Sequence, residues 1–251
     1  MTIFDREPND WVDLQNMVGQ MFFELGCDVE VSKKVQNVRG AKEIDVYVRD
    51  TKSQPPSIYL CECKYWKRAV PQEVVHAFRT VMQDTGAHRG FIVSNSGFQA
   101  GAFEAVRNTN IDLVTFPQLQ EIFFDRWREH MSEHYAPFDK RLFPYWDYPG
   151  KMPKFKWDQS HVERQQKLVQ VYQPRTMLGP LSKMTGYRQK FPMVLSAIDD
   201  LGRINGELRI ETYRQFFDFI ESNKDLALYH FQVLYGEIEP NRIKGEYNPR
   251  A

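Results

Sequence analysis

Hydrophobic and polar positions alternate along residues 57–64, a pattern that predicts a β-strand with two different faces. One face begins with Ile58 and Leu60 and ends with Glu62 and Lys64, because side chains alternate across a strand. Buried charges are costly unless they are paired or bind a metal. An apolar face that ends in a carboxylate and an ammonium therefore indicates a candidate active-site strand. The simpler interpretation is a strand that becomes polar where it meets solvent.

A second alternating segment, residues 43–49, lies one proline-containing loop earlier. An antiparallel hairpin centred on the middle of that loop places Asp45 opposite Glu62, and Glu43 opposite Lys64. Opposite side chains point to the same face, with their Cβ atoms about 5 Å apart. The hairpin thus predicts one polar patch, and a slip of one residue in the register would abolish it.

Two carboxylates in such a patch repel each other unless a cation or a proton lies between them. A hard divalent cation such as Mg²⁺ suits oxygen ligands of this kind. The patch is therefore either a metal site or a structural cluster of salt bridges.

The remaining pattern of the first half predicts helices and short strands in alternation. Apolar residues at helical spacing, caps and turn residues predict helices over 10–25, 71–85 and 99–108, and strands over 91–93 and 111–116. Such alternation implies an α/β layer with parallel strand pairs.

The second half predicts a helix over 117–134, an irregular segment over 135–158 and mainly helical structure from residue 159, with helical segments at 188–201, 210–222 and 225–235. In the irregular segment prolines and aromatic residues lack any helical or strand period. It is either a linker on the surface or a segment that stacks on nucleic-acid bases, because the aromatic residues are interleaved with Lys140, Arg141, Lys151, Lys154 and Lys156. We therefore predict a domain at 1–134, a linker at 135–158 and a C-terminal region at 159–251.

Composition narrows the class of protein. The chain has 251 residues with 33 basic and 33 acidic side chains, which disfavours a tail that binds nucleic acid by bulk charge but allows a local basic groove. No apolar run approaches the roughly 18 residues that cross a bilayer, and the N-terminus lacks the apolar stretch of a signal peptide. The three cysteines do not suggest a disulfide framework. We expect a cytoplasmic protein with reduced thiols and no membrane partner.

Several motifs together resemble the Mrr-type branch of the PD-(D/E)xK restriction-endonuclease-like nucleases, whose core archaeal Holliday junction resolvases share. They are Gly-Ala-Lys-Glu-Ile-Asp45, Glu62-Cys-Lys64, the segment Gly-Phe-Ile-Val-Ser-Asn-Ser-Gly-Phe98, Ala102 and Ile111-Asp-Leu-Val. The resemblance covers about residues 10–116. It implies an α/β fold with a restriction-endonuclease-like core, in which a mixed central sheet is flanked by helices, followed here by a mainly helical C-terminal region.

The resemblance also implies roles for single residues. Asp45 and Glu62 would bind Mg²⁺, for which Mn²⁺ can substitute, and Lys64 would orient the attacking water or stabilise charge on the phosphate. Gln15 stands where the first helix of the family often carries a glutamate, and this departure puts the number of metals in question. Further candidates are Glu43 and Gln72 as auxiliary polar residues, Lys67 and Arg68 as DNA contacts, and Lys33, Lys34 and Arg39 as additional phosphate contacts.

These expectations lead to a metal-dependent DNA endonuclease that hydrolyses phosphodiester bonds, in a restriction or anti-phage defence system. Two alternatives remain: a nucleic-acid-binding module that has lost catalysis, and a structural subunit of a larger complex with its interface in the aromatic second half. The resemblance suggests a homodimer, and the C-terminal region is a candidate site for a partner subunit.

Overall fold

The structure, a computed structural model, describes residues 1–37, 40–146, 158–176, 189–198 and 204–239. The chain divides into two compact units, Met1–Met131 and Ser132–Ala251. Among the described residues, no helix combines the length and the apolar character that a membrane span requires.

The first unit contains one five-stranded sheet with helices around it. Its elements are α1 (Trp11–Glu24), β1 (Asp28–Asn37), β2 (Gly40–Asp50), β3 (Ser57–Lys64), α2 (Gln72–Thr85), β4 (Arg89–Ser94), α3 (Ala100–Ala105), β5 (Ile111–Thr115) and the start of α4 (Phe116–Trp146). The strands lie in the order β1-β2-β3-β4-β5. The pairs β1–β2 and β2–β3 are antiparallel, whereas β3–β4 and β4–β5 are parallel. This mixed sheet confirms the predicted restriction-endonuclease-like fold.

The β2–β3 hairpin has the register that was assumed from a hairpin centred on the middle of its loop. Its pairs run from Asp50 opposite Ser57 to Val46 opposite Cys61. Val46 and Cys61 are fully buried, and a slip of one strand by one residue would move its side chains to the opposite face of the sheet. The hydrophobic positions thus determine which polar residues follow at the end of the ladder.

Helix α1 begins and ends at the residues expected from capping. The Asp10 Oδ1 atom accepts a hydrogen bond from the Asp13 backbone nitrogen at 2.8 Å, which satisfies a free donor of the first turn. Gly26 ends the helix with a φ of 77°, a conformation that favours glycine. Within the helix, a Cβ atom added at Gly19 would lie 2.7 Å from Val31 Cγ2, so this glycine permits close packing on β1.

Helix α2 covers the opposite face of the sheet. Its buried residues Val75, Phe78 and Met82 recur at helical spacing and belong to one hydrophobic cluster with Leu60 of β3. The helix comes so close that a Cβ atom added at Gly90 of β4 would lie 2.6 Å from Phe78 Cε1. Burial on both faces holds β3 and β4 in place, and the C-terminal end of β3 carries Glu62 and Lys64 of the candidate site.

Helix α4 is longer than predicted. The sequence analysis ended it at residue 134 and assigned 135–158 to an irregular linker, but the helix continues to Trp146. The linker prediction is therefore wrong for residues 135–146, which include Lys140 and Arg141. Residues 147–157, with Lys151, Lys154 and Lys156, lie outside the described part of the chain.

Apolar packing explains why this helix tolerates proline. Pro137 and Pro144 lie inside α4, where each removes a backbone hydrogen bond. The residues that recur at helical spacing along this segment are nevertheless buried: Tyr135, Phe138, Leu142 and Tyr145. Burying a side chain of this size contributes roughly 1.5–3 kcal/mol, so four such side chains outweigh the loss at two prolines.

The second unit is mainly helical, as predicted, with one exception. It contains the end of α4, α5 (Gln159–Thr176), β6 (Met193–Ile198), β7 (Ile204–Ile210) and α6 (Tyr213–Leu234). The helical prediction for 188–201 is wrong because that segment contributes β6, in which exposed Val194 precedes buried Leu195 with the period of a strand. The two segments predicted at 210–222 and 225–235 form one helix, α6.

Candidate active site

The β2–β3 ladder ends just before two carboxylates. Asp45 and Glu62 are the next residues of the two strands after the last pair, Val46 opposite Cys61. The Asp45 Oδ2 atom accepts a hydrogen bond from the Cys63 backbone nitrogen at 2.7 Å, which holds this carboxylate across the gap between the strands.

Lys64 completes the cluster on β3. Its Nζ lies 2.5 Å from Glu62 Oε1, and the two side chains are only 17% and 18% exposed. The Lys64 ammonium also lies 5.4 Å from the centre of the Trp66 ring, within the range of a cation–π interaction. The structure thus brings together Asp45, Glu62 and Lys64, the three residues predicted to be catalytic.

The electrostatic environment of Asp45 disfavours its charge. Burial raises the pKa of Asp45, and the neighbouring Glu62 carboxylate raises it further. The Cys63 backbone N–H, the Lys64 charge and the Gln15 amide act in the opposite direction, but the pKa remains above its usual value. A divalent cation between the two carboxylates would replace this repulsion by attraction.

Gln15 places a neutral amide beside the carboxylates. It lies in the second turn of α1, is only 2% exposed and is close enough to Asp45 to affect its pKa. Its Nε2 atom is buried and forms no hydrogen bond of normal geometry with any described residue. The amide oxygen would be repelled by the two carboxylates unless a cation lay between them, in which case the amide can turn to present its oxygen to that cation. A buried polar group without a well-formed hydrogen bond indicates a place where a ligand or water belongs.

The oxygen donors of this site fit a hard cation. Two carboxylates and an amide oxygen are ligands that Mg²⁺ accepts, with water in its other positions. Within the described ranges, no group of three or more His, Cys, Asp or Glu side chains is arranged for a metal. A metal here would therefore depend on two charged ligands, Asp45 and Glu62, and on the neutral Gln15.

The auxiliary candidates lie elsewhere. Glu43 is exposed and pairs with Lys34 of β1, so the expectation that it faces Lys64 is wrong. The reason is that residues 40–44 of β2 pair with β1 and not with β3. Gln72, the first residue of α2, is exposed and packs against α3, where a Cβ atom added at Gly101 would lie 2.9 Å from its Oε1.

The proposed phosphate contacts are mostly exposed. Lys67 and Arg68 follow β3 and are open to solvent. On β1, Lys33 pairs with Glu30 at 2.6 Å, while Lys34 is exposed. Arg39 lies outside the described residues.

Hydrogen bonds hold the segment that carries Lys67 and Arg68 against the loop after β4. Asn95 donates its backbone N–H to the Lys64 carbonyl at 3.3 Å, and Ser96 Oγ donates to the Arg68 carbonyl at 2.7 Å. The sequence analysis noted the basic residues Lys67 and Arg68 here but missed the contact of Lys64 with Trp66. The signal for it was their spacing, since residues two apart lie on one side of an extended chain.

Comparison with known proteins agrees with this geometry. Residues 7–123 match the family Mrr_cat, described as a restriction endonuclease, and this match confirms the resemblance inferred from the sequence. The matched span includes Gln15, Asp45, Glu62 and Lys64.

Two solved structures are also similar. One is a protein of unknown function, AF1548, with 18% identity and a TM-score of 0.37, covering 60% of this chain and 73% of that chain. The other is the DNA modification-dependent restriction endonuclease AspBHI, with 15% identity and a TM-score of 0.34, covering 44% of this chain and 30% of that chain. No curated protein matches the sequence.

Proposed function

We propose that this protein, whose residues 7–123 match the Mrr_cat restriction endonuclease family, is a metal-dependent endonuclease that hydrolyses phosphodiester bonds in DNA. The observation that supports the proposal most directly is the convergence of Asp45, Glu62 and Lys64 where the β2–β3 ladder ends. Paired carboxylates beside a lysine are the groups that this reaction needs, since it requires a bound cation and a positive charge near the phosphate.

Each residue has a proposed role. Asp45 and Glu62 hold Mg²⁺, and the Gln15 amide supports them as a neutral ligand or hydrogen-bond partner. When bound, the cation would act as a Lewis acid that polarises the phosphate and lowers the pKa of a coordinated water molecule. Lys64 stabilises the negative charge that grows on the phosphate oxygens. Its contact with Glu62 keeps the ammonium at the site before substrate binds.

The surroundings of the site suggest how DNA is held. Lys67 and Arg68 are exposed beside Lys64, and we propose that they contact the DNA backbone. We also propose a role in restriction or anti-phage defence, a homodimer as the active form and the C-terminal region as the site for a partner subunit.

The experiment is cleavage of plasmid and linear DNA with Mg²⁺ or Mn²⁺ by the wild type and by Lys64→Ala. Removal of one group that stabilises transition-state charge lowers kcat by about 100-fold or more, so Lys64→Ala should be nearly inactive. EDTA should abolish cleavage by the wild type. The matched control is Lys224→Ala, which removes a lysine that is likewise paired with a glutamate, Glu221, but lies on α6.

Loss of cleavage in Lys64→Ala and in EDTA, with full activity in Lys224→Ala, would support the assignment. The assignment would be refuted if the Lys64→Ala variant cleaved as well as the wild type and the wild type still cleaved in EDTA. A wild type that binds DNA but cleaves neither substrate with either metal would favour the alternative, a binding module with an inactive nuclease fold.

A further inference from the structure

Two tryptophan side chains are exposed beside the candidate active site. Trp66 is 37% exposed and follows Lys64 by two residues. Trp11 is 45% exposed and is the first residue of α1. Large aromatic side chains are usually well buried, so two exposed rings near one site require an explanation.

Trp66 is held in place by the chain around it. The Lys64 ammonium lies over its ring at 5.4 Å from the centre, and the hydrogen bond from Ser96 to the Arg68 carbonyl fixes the segment that follows. Trp66 is 37% exposed, so part of its ring is accessible to solvent. Lys67 and Arg68, both exposed, come directly after it. The ring is therefore presented on a fixed, basic segment.

Trp11 reaches the same region from α1. It precedes Gln15 by four residues, so the two side chains share one face of the helix, and Gln15 lies beside Asp45. The Tyr65 hydroxyl donates a hydrogen bond to the Pro8 carbonyl at 3.2 Å, which joins the segment of Trp66 to the segment just before Trp11. Both residues therefore lie on segments next to the end of the ladder that carries the carboxylates.

We propose that Trp66 and Trp11 stack on unpaired nucleobases next to the phosphate that is cleaved. The proposal rests on the proposed function, because it takes the site between Asp45 and Lys64 to bind a phosphodiester. Exposed aromatic rings bind single strands by base stacking while nearby basic side chains contact the backbone, and here the basic side chains are Lys67 and Arg68 beside Trp66. A fully paired duplex offers no free base faces except at its ends. The preferred substrate therefore contains single-stranded or extrahelical nucleotides.

The test is fluorescence anisotropy in EDTA, which prevents metal-dependent cleavage during the measurement. The probes are one labelled oligonucleotide sequence in three forms: single-stranded, duplex with one bulged nucleotide, and fully paired duplex. The wild type should bind the first two about tenfold more tightly than the third, and Trp66→Leu should lose about tenfold in affinity for the first two only. Trp11→Leu should act in the same direction, whereas Trp66→Tyr keeps a flat ring and should retain most of the affinity.

The matched control is Phe23→Ala, which removes an aromatic side chain that is 70% exposed near the other end of α1. Unchanged affinity of Trp66→Leu for the single-stranded and bulged probes would overturn the inference. The inference also fails if Trp66→Leu leaves these affinities unchanged and lowers only kcat in the cleavage assay with Mg²⁺. The ring would then serve to position the Lys64 ammonium. Failure of the proposed function itself looks different, since the wild type would then cleave no DNA with Mg²⁺ or Mn²⁺, whatever its affinities for the three probes.

Discussion

Replacement of Arg126 by methionine tests how the buried carboxylate of Asp50 is stabilised. Asp50 is fully buried, and its Oδ2 atom accepts a hydrogen bond from Arg126 Nη1 at 2.6 Å. The backbone N–H groups of Lys52 and Ser53 donate to Oδ1 at 3.1 and 3.2 Å. Arg126→Met keeps most of the apolar stem but removes the opposing charge from the carboxylate.

The magnitude follows from burial on the two sides of the pair. Removing one partner of a fully buried ion pair costs about 3–5 kcal/mol. The Arg126 side chain is 36% exposed, so solvent screens part of the interaction, and Asp50 retains its two backbone donors. We therefore expect Arg126→Met to lower the free energy of unfolding by about 2 kcal/mol. The exposed pair of Arg89 and Asp112, with side chains 55% and 34% exposed, provides the control, and Arg89→Met should cost less than about 1 kcal/mol.

The pH dependence of this effect has a definite sign. Burial raises the pKa of Asp50, but the hydrogen bond and charge of Arg126 and the two backbone donors outweigh it, so the pKa is lowered. The stabilisation is thus fully present above the unfolded pKa of about 4 and is lost as the pH falls through the folded pKa. The difference between wild type and Arg126→Met should be largest at neutral pH and should shrink below about pH 4.

The assay is urea unfolding at a series of pH values, with the double variant Asp50→Asn/Arg126→Met to complete a thermodynamic cycle. A loss no larger in Arg126→Met than in Arg89→Met would refute the reasoning. A coupling energy near zero between Asp50 and Arg126 would refute it as well.

Three further predictions concern the core and the candidate site. Gly90→Ala should lower the free energy of unfolding by about 1–3 kcal/mol because the added methyl group overlaps the side chains of α2. Gly101→Ala, whose methyl group meets a flexible glutamine, should be nearly neutral. Equal urea midpoints for the two variants would contradict this. Burial and a neighbouring carboxylate raise the pKa of Asp45, so its charge costs stability above the unfolded pKa. Asp45→Asn should therefore raise the melting temperature of the metal-free protein and abolish any rise caused by Mg²⁺, and a lower melting temperature would speak against it. Cys61 and Cys63 are fully buried with raised pKa values, so iodoacetamide should label them only in urea, and rapid labelling of the native protein would show that they are accessible.

The sequence by itself determined the centre of the first unit. The period-two pattern of residues 57–64 and 43–49 predicts both strands, and the assumption of a hairpin centred on the loop between them gives the observed register. The same register places Asp45 beside Glu62. The pattern could not show that β2 pairs with β3 only from Val46 onward, and for this reason Glu43 was predicted at the site although it pairs with Lys34.

Only the tertiary structure decided the features that depend on distant partners. Helix α4 continues through Pro137 because its apolar residues are buried in the second unit, and local propensity does not contain that contribution. The segment of β6 reads as a helix until its pairing with β7 is known. The contact of Lys64 with Trp66 likewise depends on how the chain turns after β3. Alternation along a strand is a local property that the sequence records directly, whereas packing between elements is decided by which surfaces meet.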